Sequence, residues 1–250
     1  MTISLDGQIV VVTGGAKRLG RAIALECARA GADVAITFRT SVREAEQTVR
    51  DLEAARPHGR FSAIPLDATR NSEIANLVKT VENEFGGATA LVNNAAIFER
   101  TPFESLDEAS FDMHIGANLK GPFLLSQQFA ELFLRDKNNR GGHIVNLADI
   151  HAFRPLANYV PYCVSKAGLV MLTQTMAKAL APHVRVNCLC PGTILLPSGT
   201  EQNEAQLVAR IPFGRTGTAL EIAQTAVFLL GGPAFITGAV LTVDGGESLR

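Results

Sequence analysis

At 250 residues, 47% of them hydrophobic and 19% charged, the chain is long enough to bury a substantial core and has the make-up of an ordinary soluble globular protein. Its net charge of -1 leaves no broad electrostatic footprint for nucleic acid or an anionic membrane. The opening run "MTISLDGQIVVVTGG" carries no cationic leader and breaks at glycine before it could span a bilayer, so a cytoplasmic location and no membrane partner are expected. Cys27, Cys163, Cys188 and Cys190 form no paired CxxC units, which favours small buried thiols over a metal or disulfide role.

In chain order the sequence alternates short β-rich runs with helical ones. "QIVVVT" precedes the helical "RAIALECARAG"; "DVAITF" precedes "EAEQTVRDLEAA"; "FSAIPLD" precedes "EIANLVKTVENEF". Next come "TALVNN", one long helical region reaching about Arg135, "GHIVNLA", the helix "YCVSKAGLVMLTQTMAKALAP", "VRVNCLC" and a last strand "AVLTVDGG". Continuously apolar strands suit a sheet covered on both faces. The expected fold class is therefore α/β: one domain over residues 1–250, with a doubly wound central parallel sheet flanked by helices. After Pro191 the segment 192–215 breaks the rhythm and is expected to form a lid or pocket wall.

"TGGAKRLGRAIA" follows the first strand and opens the first helix. Gly14 and Gly20 permit a tight turn and close packing, and amides at the helix start can face a pyrophosphate. A plain strand-helix connector is the competing reading. The turn resembles the T-G-x-x-x-G-x-G of the short-chain dehydrogenase/reductase family, a Rossmann fold. Arg18 stands where that pattern has its middle glycine, as in the pteridine reductase branch, where the resemblance implies contact with both cofactor and substrate.

A carboxylate closing the second strand would select NAD. This chain has Phe38 there, followed by Arg39, Thr40 and Ser41, and cationic and hydroxyl groups suit a 2'-phosphate. With Lys17 also in the turn, NADPH/NADP+ is the expected cofactor, and Leu19 is counted among the residues that bind it; Arg39 alone also reads as an exposed charge. Resemblance carries Asp67 to the adenine, although an N-cap of the next helix explains it nearly as well. Asn94 and Ala95 in "NNAA", together with Pro191, Gly192 and Ile194, are implied along the cofactor.

Tyr162 and Lys166, four apart in "YCVSK", share one helix face. With Asn118 in "GANLKGPF" they match the family's proton-delivery set. The resemblance implies that Tyr162 protonates the acceptor, Lys166 binds ribose and lowers the tyrosine pKa, and Asn118 holds a relay water. Asp149 lies thirteen residues before Tyr162, where most members have a serine that polarises a carbonyl. An ionised carboxylate is a poor oxyanion donor and opposes tyrosinate, which tunes the site towards giving protons to ring nitrogens; a loop cap is the bland alternative. Phe98 reads as the face on which a pterin would lie, or as core. Together these residues point to an NADPH-dependent pteridine reductase acting on a pterin or folate-like substrate. The alternative is a general carbonyl or 3-oxoacyl thioester reductase. Resemblance further implies a homotetramer, with the terminal Arg250 either reaching a neighbouring pocket or frayed.

Overall fold

The computed structural model describes residues 3–135, 141–194 and 204–249. The first six elements are β1 (Ile9–Val12), α1 (Arg18–Arg29), β2 (Asp33–Phe38), α2 (Val42–Ala55), β3 (Phe61–Pro65) and α3 (Asn71–Phe85). After them come β4 (Ala90–Asn93), α4 (Glu108–Ile115), α5 (Gly121–Leu134), β5 (Gly142–Leu147) and α6 (Val160–Leu180). The chain closes with β6 (Val184–Pro191), α7 (Glu204–Val208), α8 (Ala219–Gly231) and β7 (Val240–Val243). All seven strands are parallel, in the order β3-β2-β1-β4-β5-β6-β7.

The unbroken apolar run of β1 has a direct cause. Val10 and Val12 pack into the layer formed with α1 and α8, whereas Ile9 and Val11 pack into the opposite layer with α3 and α5. Side chains on a strand alternate between faces, so a strand covered on both sides must be apolar at every position. From β1 the chain winds outward to β3 and then returns to place β4 on the other side of β1. That reversal opens a crevice at the carboxyl ends of β1 and β4, the place where open α/β sheets bind ligands.

One expected element differs. The long helix ending near Arg135 is three pieces, with α4 and α5 separated by a π-helical turn over Gly116–Lys120. Pro122 sits in the first turn of α5 and offers no amide to a regular rung, while the wider turn carries Asn118 inward. Of the expected lid, residues 195–203 lie outside the described residues, as does Arg250. Among the described residues no helix is long and apolar enough to cross a membrane.

Candidate active site

The site is built on the crevice from two halves. In the first, Gly14 adopts φ 62° and its amide donates to Thr37 Oγ1 at 3.2 Å, turning the chain sharply from β1 into α1. Gly20 allows the closest approach. A Cβ there would fall 2.6 Å from Asn94 Nδ2 and against the carbonyl oxygen of Gly14, so any side chain would push the turn off β4. Asn94 Nδ2 donates to Thr13 O at 2.8 Å, and the Ala95 amide reaches Thr13 Oγ1 at 3.0 Å. Arg18, at φ 53°, occupies a left-handed conformation that suits glycine.

These residues wall a cavity of about 460 Å³. Gly14, Lys17, Arg18, Leu19, Gly20, Phe38, Arg39, Thr40, Ser41, Asp67, Asn94 and Ala95 all line it. Asp67 is not the N-cap of α3. Its carboxylate accepts from the Thr69 amide at 3.0 Å and from the Thr69 hydroxyl at 2.6 Å. Those hydrogen bonds, with the charges of Arg70 and Arg39, hold its pKa below the usual carboxylate value. Basic Lys17, Arg18 and Arg39 converge on the cavity with the hydroxyls of Thr40 and Ser41, a donor set that fits a phosphorylated dinucleotide.

The second half lies beyond β5 and β4. Tyr162 Oη donates to Asp149 Oδ2 at 2.7 Å, and the other carboxylate oxygen of Asp149 accepts the His151 amide at 2.8 Å. Asp149 thus both caps the turn after β5 and grips the phenol. Tyr162 is buried, and its pKa is raised well above the ordinary 10, first by that burial and then by the Asp149 carboxylate. The sequence reading had Lys166 lowering this pKa; the net direction is upward. Lys166 Nζ donates to the Leu147 carbonyl at 2.6 Å, 5.7 Å from the Tyr162 ring centroid, and burial lowers its own pKa.

Asn118 is 1% exposed. Its carboxamide accepts from Ile97 N at 2.9 Å and donates to Ile97 O at 3.0 Å and Ser165 Oγ at 3.1 Å. The side chain is a brace between α6 and the segment leaving β4. Pro191 ends β6 and Gly192 follows it, with the Gly192 amide bonded to Val243 O at 3.0 Å. Ile194 is buried in the α1–α8 layer, in the same apolar cluster as the cavity-lining Ala16, Leu19 and Phe38.

Phe98 is half exposed, not core. Its ring stacks on Tyr159 at 4.6 Å with a 10° interplanar angle and meets Tyr162 edge-on at 4.7 Å. Tyr159 escaped the sequence reading, although its place three residues before Tyr162 on the same helix start was a usable signal. Two other contributors left none. Thr101 N donates to Asn158 O at 2.6 Å, clipping the Phe98 segment to the start of α6. Glu247 accepts from Thr193 N at 2.8 Å and Thr193 Oγ1 at 3.0 Å, anchoring the chain just after β6 from 54 residues away.

Comparison with known proteins agrees with this construction. The family model described as enoyl-(acyl carrier protein) reductase matches residues 14–248. The chain is 34% identical over 252 residues to 3beta-hydroxysteroid dehydrogenase 1 of Eggerthella lenta, covering 98% of this chain and 95% of that one. It is 32% identical over 247 residues to the 3-oxoacyl-[acyl-carrier-protein] reductase FabG of Thermotoga maritima, covering 97% and 98%. A short-chain type dehydrogenase/reductase of Mycobacterium marinum superposes with a TM-score of 0.92 at 28% identity, over 100% of this chain and 98% of that one. A match that runs almost end to end, on a sheet whose carboxyl edge gathers Asp149, Tyr162 and Lys166, makes this chain a member of the short-chain dehydrogenase/reductase family.

Proposed function

We propose that this oxidoreductase is an NADPH-dependent pteridine reductase, acting on a C=N bond of a dihydropterin or dihydrofolate-like ring. The observation that carries the reading is the 2.7 Å hydrogen bond from Tyr162 to Asp149. Where a carbonyl reductase needs a neutral donor beside its phenol, this site has a carboxylate that keeps the phenol protonated. A ring nitrogen is more basic than a ketone oxygen and takes a proton from such a phenol more readily.

The glycine cradle around Gly14 and Gly20, with Lys17, Arg18, Arg39 and Ser41 on the cavity wall, fits NADPH; when bound, the cofactor supplies the hydride. Arg39, Thr40 and Ser41 would hold the 2'-phosphate, Asp67 the adenine, and Lys166 the ribose. Pro191, Gly192 and Ile194 would border the nicotinamide. Arg18 and the exposed Phe98 face would orient a planar heterocycle, the aromatic contact adding about 0.5–1.5 kcal/mol beyond area. Tyr162 gives the proton, Asp149 holds the phenol in its donating state, and Asn118 braces the helix that carries the pair. A homotetramer in the cytoplasm belongs to the same reading. Four free cysteines suit a reducing compartment.

A second reading, reduction of a 3-oxoacyl thioester or another carbonyl, is favoured by the names of the Thermotoga and Eggerthella relatives. Steady-state assays with NADPH decide between them. Dihydrobiopterin or dihydromonapterin should be reduced with the higher kcat/KM; faster reduction of an acetoacetyl thioester would defeat the pterin assignment.

A further inference from the structure

The hydrogen bonds around Asp149 leave one neighbour with an unexplained orientation. His151 Nδ1 lies 2.8 Å from the Arg154 carbonyl. A carbonyl only accepts, so Nδ1 carries a hydrogen and the neutral ring keeps its lone pair on Nε2. Nε2 lies 3.9 Å from Asp149 Oδ1. Two acceptors therefore face one another across a gap that only a proton, on either side, makes attractive. The imidazole is 22% exposed, so the ring reaches from solvent to the carboxylate.

From this geometry we infer that His151 supplies the proton that restores the Asp149–Tyr162 pair in each turnover, acting as a positioning residue through Asp149. The inference rests on the reading that Tyr162 protonates a ring nitrogen. When the phenol proton moves to that nitrogen, a phenolate would be left beside an ionised Asp149, two negative charges 2.7 Å apart. Transfer of the Nε2 proton from imidazolium His151 to Asp149 Oδ1 removes one of those charges as the other forms. The carboxylic acid, turned so that its protonated oxygen meets the phenolate, then returns that proton to Tyr162, and neutral His151 is reprotonated by a hydronium ion or buffer acid from solvent. Each cycle consumes one solvent proton, and no other reactant is needed.

Other charged groups face this relay. Arg154 shares the turn and donates to the carbonyl of Glu247, whose carboxylate is engaged by Thr193; from α6, Tyr162 contacts Asp149 directly and Lys166 lies behind it, bonded to Leu147 O. None of them presents a lone pair to Asp149 as His151 does.

The test uses the full chain with NADPH and dihydrobiopterin, comparing wild type with His151→Gln and His151→Ala. NADPH affinity, read by fluorescence, is measured on each protein first and should change less than about twofold. Expected are a kcat loss of about tenfold or more, typical of a misplaced proton-transfer group, and a KM within about twofold of wild type. The wild-type kcat should show a limb that falls with rising pH, and both variants should lack it. Added imidazole should restore turnover in His151→Ala. An unchanged pH profile, or a loss in both variants that imidazole does not restore, overturns the inference. If wild type reduces only the acetoacetyl thioester, the pterin reading fails instead, and the same variants assayed on the thioester then decide the fate of the relay.

Discussion

At the scale of single residues, two substitutions away from the family pattern define this site. Beyond the effect of burial, Asp149 raises the Tyr162 pKa by its charge and by accepting the phenol's hydrogen bond. Its removal in Asp149→Asn should bring the tyrosine titration down towards its ordinary value. The chain has two tyrosines and no tryptophan, so tyrosinate absorbance in the unliganded protein reads this shift cleanly; a titration that stays put would show that burial alone sets the value. In the pterin assay Asp149→Ser should lose more than about tenfold in kcat, the scale of a positioned proton-transfer group. Arg18 is the second departure. Held at φ 53°, it tolerates a conformation costing about 1–2 kcal/mol for an L-residue. Arg18→Gly should therefore leave thermal stability unchanged or raise it by up to about 1 kcal/mol, after the entropy that glycine forfeits. NADPH affinity should fall, because the guanidinium leaves the cavity wall. A variant that melts later yet binds NADPH as tightly as wild type would strip Arg18 of its role.

At the scale of elements, the strand-turn-helix unit and α8 make opposite demands on their first turns. Behind Gly20 the turn has no room. Gly20→Ala should weaken NADPH binding more than tenfold and cost about 1–3 kcal/mol, the range for overpacking against rigid backbone; denaturant melts with and without NADPH measure both. α8 begins with a capping box instead. Thr218 accepts from the Glu221 amide at 3.2 Å, and Glu221 accepts from Thr218 N at 2.8 Å. Thr218→Ala should cost about 1 kcal/mol, the usual value of an N-cap hydroxyl. Hydrogen bonds from Arg215, first, and from Thr218 depress the Glu221 pKa from 4.5 to about 2. A depressed carboxylate stabilises the fold above its unfolded pKa, so the contribution is present above about pH 4.5 and drains away as pH falls towards about 2. Glu221→Gln should flatten that part of the acid stability profile.

Across the whole molecule, strand order decides where chemistry takes place. The reversal between β1 and β4 opens the crevice between the glycine turn and the end of β5, so a ligand spanning it would join the glycine-turn half to the half that holds Asp149 and Tyr162. Such a ligand binds only the folded protein. NADPH should therefore raise the melting temperature in a concentration-dependent way, by the equivalent of about 2.7 kcal/mol at a hundredfold excess over Kd. NADH, lacking the 2'-phosphate that Arg39 and Ser41 are proposed to hold, should give a smaller shift at equal concentration. Equal shifts would defeat the assignment of those residues to the phosphate.

Local periodicity and spacing determined the α/β class, the parallel sheet, the glycine turn and the pairing of Tyr162 with Lys166, because each arises from residues adjacent in the chain or one helical turn apart. Tertiary structure alone decided the rest. The break in the helix at Asn118, the net upward pull on Tyr162, the stack of Phe98 on Tyr159 and the hold of Glu247 on Thr193 join segments far apart in sequence. Burial and the direction of a side chain, which set a pKa or the partner of a hydrogen bond, exist only once those segments have packed.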